Sequence, residues 1–203
     1  MDAQRHGRLR FRPRFGAVEI PEPRLARFAF GDTRLAWLWL VVRVYVGWQW
    51  VAAAQEKLGS SAWVGAHAGA ALTGFVKGAV AQAHGPYAAV QGWYASFLQS
   101  VVLPHAVGWS YFVTIGELTV GIALIAGLFT GIAAFFGAFM NVNYLLAGAV
   151  STNPLLFLLE LLLVLAWRTA GWIGLDVALL PALGVPWRPG RLLRPAQPAA
   201  AAR

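Results

Sequence analysis

The chain alternates between long apolar stretches and short polar breaks, and four stretches are long enough to cross a bilayer. A transmembrane helix needs about 20 mostly apolar residues. The predicted spans cover residues 35–54, 109–129, 132–150 and 155–172. Thr130-Gly131 leaves room only for a tight turn, so the second and third spans are predicted to form a hairpin. Pro154, which follows a polar break, is predicted to open the fourth helix.

Residues 59–108 separate the first two spans and are too many for a bare loop. Between Pro86 and Pro104 apolar residues recur at helical spacing, which predicts an amphipathic helix on the outer membrane face or over the bundle. The Gly- and Ala-rich stretch 62–83 is interpreted as either a short helix or a re-entrant piece. The expected fold is an all-α integral membrane protein: a four-transmembrane-helix bundle with an external amphipathic helical segment between spans 1 and 2.

Positive charge is concentrated at the two ends of the chain. The 203 residues contain 16 Lys and Arg against 8 Asp and Glu, a net charge of +8. Residues 1–34 and 181–203 are predicted basic tails that flank a membrane domain over residues 35–180. The positive-inside rule then places both termini in the cytoplasm of a multi-pass protein of the cell membrane, with residues 59–108 outside. No nucleic-acid-binding motif accompanies the arginines, so the lipid bilayer is the expected partner.

Arg43, Glu117 and Glu160 lie well inside the predicted spans, and Arg168 lies near the end of the fourth. Such residues cost about 2.5–3.5 kcal/mol to insert and normally face the bundle interior. A rise of about 1.5 Å per residue puts both glutamates about 12 Å below the outer surface, and Arg43 about 12 Å from the inner one. They are either interhelical ties or the lining of a polar chamber that is open to the outside. In a chamber, the carboxylates would relay protons or bind a polar substrate.

Further polar residues accompany these three. Lys57 lies at the outer end of the first span and, with Arg43, would attract an anion. Asn141 and Asn143 lie on the third span and point apart by about 160°, because successive helical residues turn by about 100°. At most one of the two is therefore expected to face the centre of a shared chamber.

The composition narrows the possible redox chemistry. The chain contains no cysteine, which excludes a disulfide, an iron–sulfur cluster and a thiol nucleophile. No predicted span contains histidine, so a bis-histidine haem is not expected. His67, His84 and His105 match no metal-binding motif, and no metal site is predicted. Redox activity would require a diffusible organic carrier such as quinone, or a cofactor in a partner subunit.

The order and spacing of these residues resemble the DoxX family of small four-span membrane proteins, and its DoxD branch in particular. The most specific segment is GELTVGIALIAGLFTGIAAFFGAFMNVNYLLAG, Gly116–Gly148. Val41–Gly59 is similar to the family's first helix, and Ala170–Asp176 is similar to the ending of DoxD-like chains. The chain departs from the family at Thr130-Gly131, where an arginine is common.

The resemblance to DoxD implies a quinone-linked oxidoreductase subunit that acts on thiosulfate or a similar small sulfur anion. A small DoxA-like or rhodanese-like partner is implied as well, and a homo-oligomer is compatible with it. The implied roles are anion attraction by Arg43 and Lys57, proton transfer by Glu117 and Glu160, and hydrogen bonding to substrate or a quinone carbonyl by Asn141, Asn143 and Tyr144. The alternative is a non-catalytic membrane scaffold or small-solute carrier in which the same residues tie helices together, so whether the chain is an enzyme stays open.

Overall fold

A computed structural model describes residues 22–185, and within that range all regular structure is helical. The predicted tail segments 1–21 and 186–203 lie outside the described residues. The helices are α1 (Arg24–Gly31), α2 (Ala36–Leu58), α3 (Ala70–Ala81), α4 (Gly92–Phe97), α5 (Ala106–Ala126), α6 (Thr130–Leu146), α7 (Asn153–Leu165), α8 (Trp167–Ala170) and α9 (Asp176–Ala182).

Four helices pack in a ring. Helix α2 lies against α5, α5 against α6, α6 against α7, and α7 against α2. Helix α3 packs on α5 at one end of this ring, and α1 packs on α8. The ring brings the polar residues of four different helices toward one interior.

The bundle encloses a few polar side chains within an apolar interior, and its exterior is apolar as well. Arg43, Glu117, Asn141 and Glu160 are at most 1% exposed. The large exposed apolar side chains include Trp37, Trp48, Phe112, Ile115, Ile122, Phe135, Phe136, Phe139, Leu158 and Leu165. So many exposed large apolar side chains, together with ionisable residues that face inward, suit an exterior that contacts lipid. Among the described residues, Thr33–Leu58 and Gly92–Ala126 are long and apolar enough to cross a membrane, whereas α3, α6 and α7 are shorter apolar helices.

The hairpin turn between α5 and α6 lies three residues earlier than predicted. It consists of residues 127–129, and Thr130 is already the first residue of α6, so the prediction of a turn at Thr130-Gly131 is wrong. Gly127 and Phe129 both adopt left-handed backbone conformations, with φ of 67° and 47°. The Asp176 carboxylate accepts hydrogen bonds from the backbone N–H groups of Phe129 and Thr130, which stabilises this unusual turn.

The helix between the first two spans also differs from its prediction. It begins at Gly92 rather than at Pro86, and Pro104 does not end it. Helix α4 continues through a π-helical turn, Leu98–Val102, and a 3-10 turn, Leu103–His105, into α5. The change of helical pitch accommodates the missing N–H group and the ring of Pro104. In the Gly- and Ala-rich stretch, α3 provides the short helix that was one of the two predicted possibilities.

The last predicted span ends early. Helix α7 stops at Leu165, the chain turns at Ala166, and the short helix α8 follows.

The apolar packing inside the bundle centres on a cluster that includes Val46, Leu124 and Leu163, each fully buried.

Candidate functional site

A polar cavity of about 390 Å³ lies where α2 ends and α7 begins. Its lining comprises Gln49, Trp50, Ala52, Ala53, Glu56, Lys57, Glu117, Tyr144, Ser151, Thr152, Asn153 and Leu156. Lys57 is on this wall because α2 runs to Leu58, four residues beyond the predicted span. Helices α2, α5, α6 and α7 all contribute, so the cavity occupies one mouth of the bundle.

Glu117 is held by two polar partners in this cavity. The Lys57 amino group lies 3.0 Å from Oε1 and 2.8 Å from Oε2 of Glu117. The Tyr144 hydroxyl donates a hydrogen bond of 2.5 Å to Glu117 Oε1. Lys57 also lies 5.1 Å from the centre of the Trp63 ring, a cation–π distance. The structure therefore brings together three of the predicted site residues, one from each of α2, α5 and α6.

Glu160 is fully buried and does not line the cavity. Its two carboxylate oxygens accept 2.6 Å hydrogen bonds from Trp50 Nε1 and Asn141 Nδ2. Within residues 22–185 both of these partners are neutral, whereas Glu117 has a cation. Gly137 provides space for the arrangement, because a Cβ there would lie 2.5 Å from Glu160 Oε1. The two glutamates, predicted to share one chamber, have different surroundings, with Trp50 between Glu160 and the cavity.

Arg43 lies toward the opposite end of the bundle. Its guanidinium donates to the carbonyl oxygens of Leu124 and Ile173, at 2.7 Å each. Seven residues, or about 10 Å along α5, separate Leu124 from Glu117. Arg43 is therefore bound to backbone carbonyls rather than to a glutamate, and the predicted chamber does not include it.

Asp176 completes the group around Arg43. Its carboxylate is fully buried, accepts from Phe129 N at 2.6 Å and from Thr130 N at 2.8 Å, and acts electrostatically on Arg43. Its own N–H donates to the carbonyl of Gly127 at 2.8 Å. Together, Arg43 and Asp176 fasten the α5–α6 turn to the segment that follows α8.

Asn141 and Asn143 diverge as their angular separation predicts. Asn141 is fully buried and faces Glu160, whereas the amide of Asn143 donates to the carbonyl of Phe139. The Tyr94 hydroxyl lies 3.0 Å from both the side-chain and the main-chain oxygen of Asn143. Asn143 thus anchors α4 to α6 and does not line the polar cavity.

The sequence did not indicate the hydrogen bonds made by two buried groups, the Trp50 indole and the Asp176 carboxylate. The depth of Trp50 in the first predicted span indicates core packing or the wall of a pocket for a flat aromatic ligand, whereas its indole N–H donates to Glu160. The helical spacing that puts Trp50 on one side of the span with Arg43, Gly47, Ala54 and Lys57 is the signal that its side chain faces inward. Asp176 had no local signal, because the turn that it stabilises lies 46 or 47 residues away.

A second, apolar cavity of about 160 Å³ lies between α3, the α4–α5 segment and α6. It is lined by Leu72, Phe75, Val76, Tyr94, Phe97, Leu98, Val102, Trp109, Phe112, Val113, Phe139, Met140, Asn143 and Tyr144. Tyr144 is on the wall of both cavities. Its ring stacks on Trp50 at 6.4 Å and meets Phe75 edge to face at 6.3 Å.

The three histidines between the first two predicted spans, His67, His84 and His105, do not form a metal-binding cluster. Across residues 22–185, no group of three or more His, Asp or Glu side chains is arranged to hold a metal ion. His105 Nδ1 lies 3.1 Å from the carbonyl oxygen of Val101, one helical turn earlier.

Comparison with protein families gives one match. The DoxX family pattern covers residues 38–149, more than half of the 203 residues, and this range contains Lys57, Glu117, Asn141 and Tyr144. Comparisons with curated proteins and with solved structures gave no match. The matched range, the apolar exterior and the two long apolar helical segments agree with one another. The chain is a membrane protein of the DoxX family.

Proposed function

We propose that this protein is a quinone-linked oxidoreductase subunit that oxidises thiosulfate or a similar small sulfur anion. The observation that carries the proposal is the polar cavity, where the Lys57 amino group lies beside Glu117 and Tyr144. Among the described residues of its wall, Lys57 is the cation available to an entering anion. The cavity volume of about 390 Å³ is ample for an anion of a few atoms.

We also propose that α2, α5, α6 and α7 each cross the cell membrane, with both termini in the cytoplasm. The closed ring of four helices and its apolar exterior support this topology. Helix α7 alone is about 20 Å long, and α8 continues the chain beyond the turn at Ala166 to residue 170. The basic residues of α1 and the neighbouring turn, Arg24, Arg27 and Arg34, would then lie on the cytoplasmic side.

The proposed chemistry uses the groups of the cavity in separate roles. Two thiosulfate ions lose one electron each and form a new S–S bond, and a quinone takes up the two electrons and two protons. Lys57 would turn from Glu117 toward the anion. Glu117 would then accept a proton, because its negative charge is no longer balanced by Lys57 and lies close to the bound anion, which favours the neutral carboxyl group. Protonated Glu117 and Tyr144 would supply protons for the quinone.

Quinone reduction by purified protein tests the proposal. In lipid nanodiscs, thiosulfate should reduce decylubiquinone, and Lys57→Met should lower kcat/KM at least about tenfold because it removes the charge that attracts the anion. Lys57→Arg should retain a substantial part of the rate. Lys77→Met, which removes an exposed lysine from α3, is the matched control and should match the unsubstituted protein. An unchanged rate in Lys57→Met would refute the role of this cavity.

A non-catalytic scaffold is the second candidate, and one observation favours it: Glu117, Glu160 and Asp176 all have partners within the protein. As ties, they would hold helices together without any substrate. In this case Glu117→Gln should lower the thermal midpoint, no variant should show quinone chemistry, and a partner enzyme should co-purify with the chain. Loss of quinone reduction in Glu117→Gln at an unchanged midpoint would favour the oxidoreductase.

A further inference from the structure

We infer that the apolar cavity binds the ring of the quinone, at a site separate from the polar cavity that takes the anion. The inference rests on the proposed function and adds the location of the second substrate. Size is the first argument. The apolar cavity measures about 160 Å³, and an apolar protein cavity of about 150 Å³ is known to accept benzene. It therefore suits one six-membered ring.

The walls of the cavity suit a flat ring. Phe75, Phe97, Trp109 and Phe112 supply aromatic surface from α3, α4 and α5. The π-helical turn Leu98–Val102 forms part of the same wall, and such turns occur frequently at functional sites. An apolar wall with a few polar groups is the usual composition of a small-molecule site.

The cavity is accessible from the side that would face lipid. Phe112 and Phe139, both on its wall, are 69% and 57% exposed on the apolar exterior of the bundle. A membrane quinone dissolves in the hydrocarbon, so this is the side from which it would arrive. The anion would instead enter the polar cavity at the mouth of the bundle. The two substrates thus have separate entrances.

Tyr144 connects the two sites. Its side chain lines both cavities, and its hydroxyl donates to Glu117. The other hydroxyl of the apolar wall, that of Tyr94, already faces two oxygens of Asn143. Tyr144 is therefore the group placed to exchange a proton between the polar cavity and a bound ring.

The proton balance requires such a connection. Joining two thiosulfate ions through an S–S bond releases two electrons but no proton, whereas a quinone needs two protons to become a quinol. Both protons must come from water, and the polar cavity, whose wall includes Glu117, is where water would supply them once Lys57 has turned away. For each one, protonated Glu117 gives its proton to the Tyr144 oxygen as Tyr144 passes its own to a quinone oxygen. Water then reprotonates Glu117.

Filling the apolar cavity tests the inference. Val113 lines it from α5, and Ile115 on the same helix is 57% exposed and lies outside it. Val113→Trp should raise the Kd of decylubiquinone, measured by calorimetry in nanodiscs without thiosulfate, by about tenfold or more. Ile115→Trp, the matched control, should bind it as the unsubstituted protein does. If Val113→Trp does not fold, Val113→Phe is the smaller substitution to measure.

Lys57→Met separates this inference from the proposed function. It should bind decylubiquinone normally while losing thiosulfate-dependent turnover. Equal Kd values for Val113→Trp or Val113→Phe and the unsubstituted protein would overturn the ring site, whatever the enzymatic result. Quinone binding that is sensitive to Val113, together with no reduction by thiosulfate, would support the ring site and overturn the sulfur substrate instead.

Discussion

Gly47 of α2 and Gly121 of α5 lie back to back. A Cβ on Gly47 would be 2.8 Å from the carbonyl oxygen of Gly121, and a Cβ on Gly121 would be 2.8 Å from that of Gly47. Small residues allow such close approach in membrane bundles. The contact holds together the two helices that carry Lys57 and Glu117, and therefore sets the distance across the ion pair.

Replacing Gly47 with alanine should loosen this contact. We expect Gly47→Ala to lower the free energy of unfolding by about 1–3 kcal/mol, because the backbone of α5 must move away. Gly108→Ala on α5 is the control: no atom lies within 4 Å of its added Cβ. Thermal unfolding in detergent, followed by circular dichroism, compares the two. Equal midpoints would contradict close packing at Gly47.

Exchanging the carboxyl and amide groups of Glu160 and Asn141 should preserve their hydrogen bond. Glu160→Gln alone replaces one of the two carboxylate oxygens with an NH₂ group. With Asn141 in its present orientation, either Trp50 or Asn141 then loses the acceptor for its N–H donor in a buried site. The double variant Glu160→Gln/Asn141→Asp restores a donor–acceptor pair. We expect a favourable coupling of about 1 kcal/mol or more in a double-mutant cycle on thermal stability. Additive effects would show that the pair does not interact.

Removing the charge of Asp176 should destabilise the bundle. Asp176→Asn replaces one of the carboxylate oxygens that accept from Phe129 and Thr130 with a donor and removes the negative charge near Arg43. The expected loss is about 1.5–3 kcal/mol. Asp32→Asn is the control, since Asp32 pairs with the largely exposed Arg34, and it should change the thermal midpoint less. A larger change in Asp32→Asn than in Asp176→Asn would argue against a stabilising role of Asp176 at the α5–α6 turn.

The cysteine-free chain allows the proposed topology to be tested by labelling. Tyr87 is 96% exposed between α3 and α4, and Leu25 is 78% exposed in α1. With a membrane-impermeant maleimide on intact cells, Tyr87→Cys should be labelled and Leu25→Cys should be labelled only after lysis. The reverse labelling pattern would show that the orientation is opposite to the proposed one. Labelling of both variants before lysis would contradict a membrane between residues 25 and 87.

The buried stripe of α2 could be predicted from the sequence because helical spacing alone determines it. The spacing puts Arg43, Gly47, Trp50, Ala54 and Lys57 on one side of the helix; the first four are buried, and Lys57 is half-buried at the polar cavity. The binding partners of Arg43 could not be predicted, since its acceptors are backbone carbonyls 81 and 130 residues away that carry no residue-type signal. The prediction of one polar chamber grouped Arg43 with the glutamates, but its side chain points toward the α5–α6 turn.

For the helix boundaries, too, the features that depend on local sequence could be predicted and those that depend on distant residues could not. The apolar stretches predicted the positions of α2, α5, α6 and α7 because hydrophobicity is encoded locally. The turn after α5 was misplaced because Phe129 adopts a left-handed conformation that only the distant Asp176 supports. Pro104 was interpreted as a helix end, yet the π-helical and 3-10 turns around it let the helix continue.

The binding of Arg43 has a consequence for how the chain is assembled. Arg43 is part of α2, which is synthesised early, whereas the Ile173 carbonyl and Asp176 that complete its surroundings follow about 130 residues later. During translation α2 therefore carries a guanidinium before the residues that bind it in the folded protein have been synthesised. The native surroundings of Arg43 are therefore completed only when the segment that follows α8 has been made and has packed against the bundle.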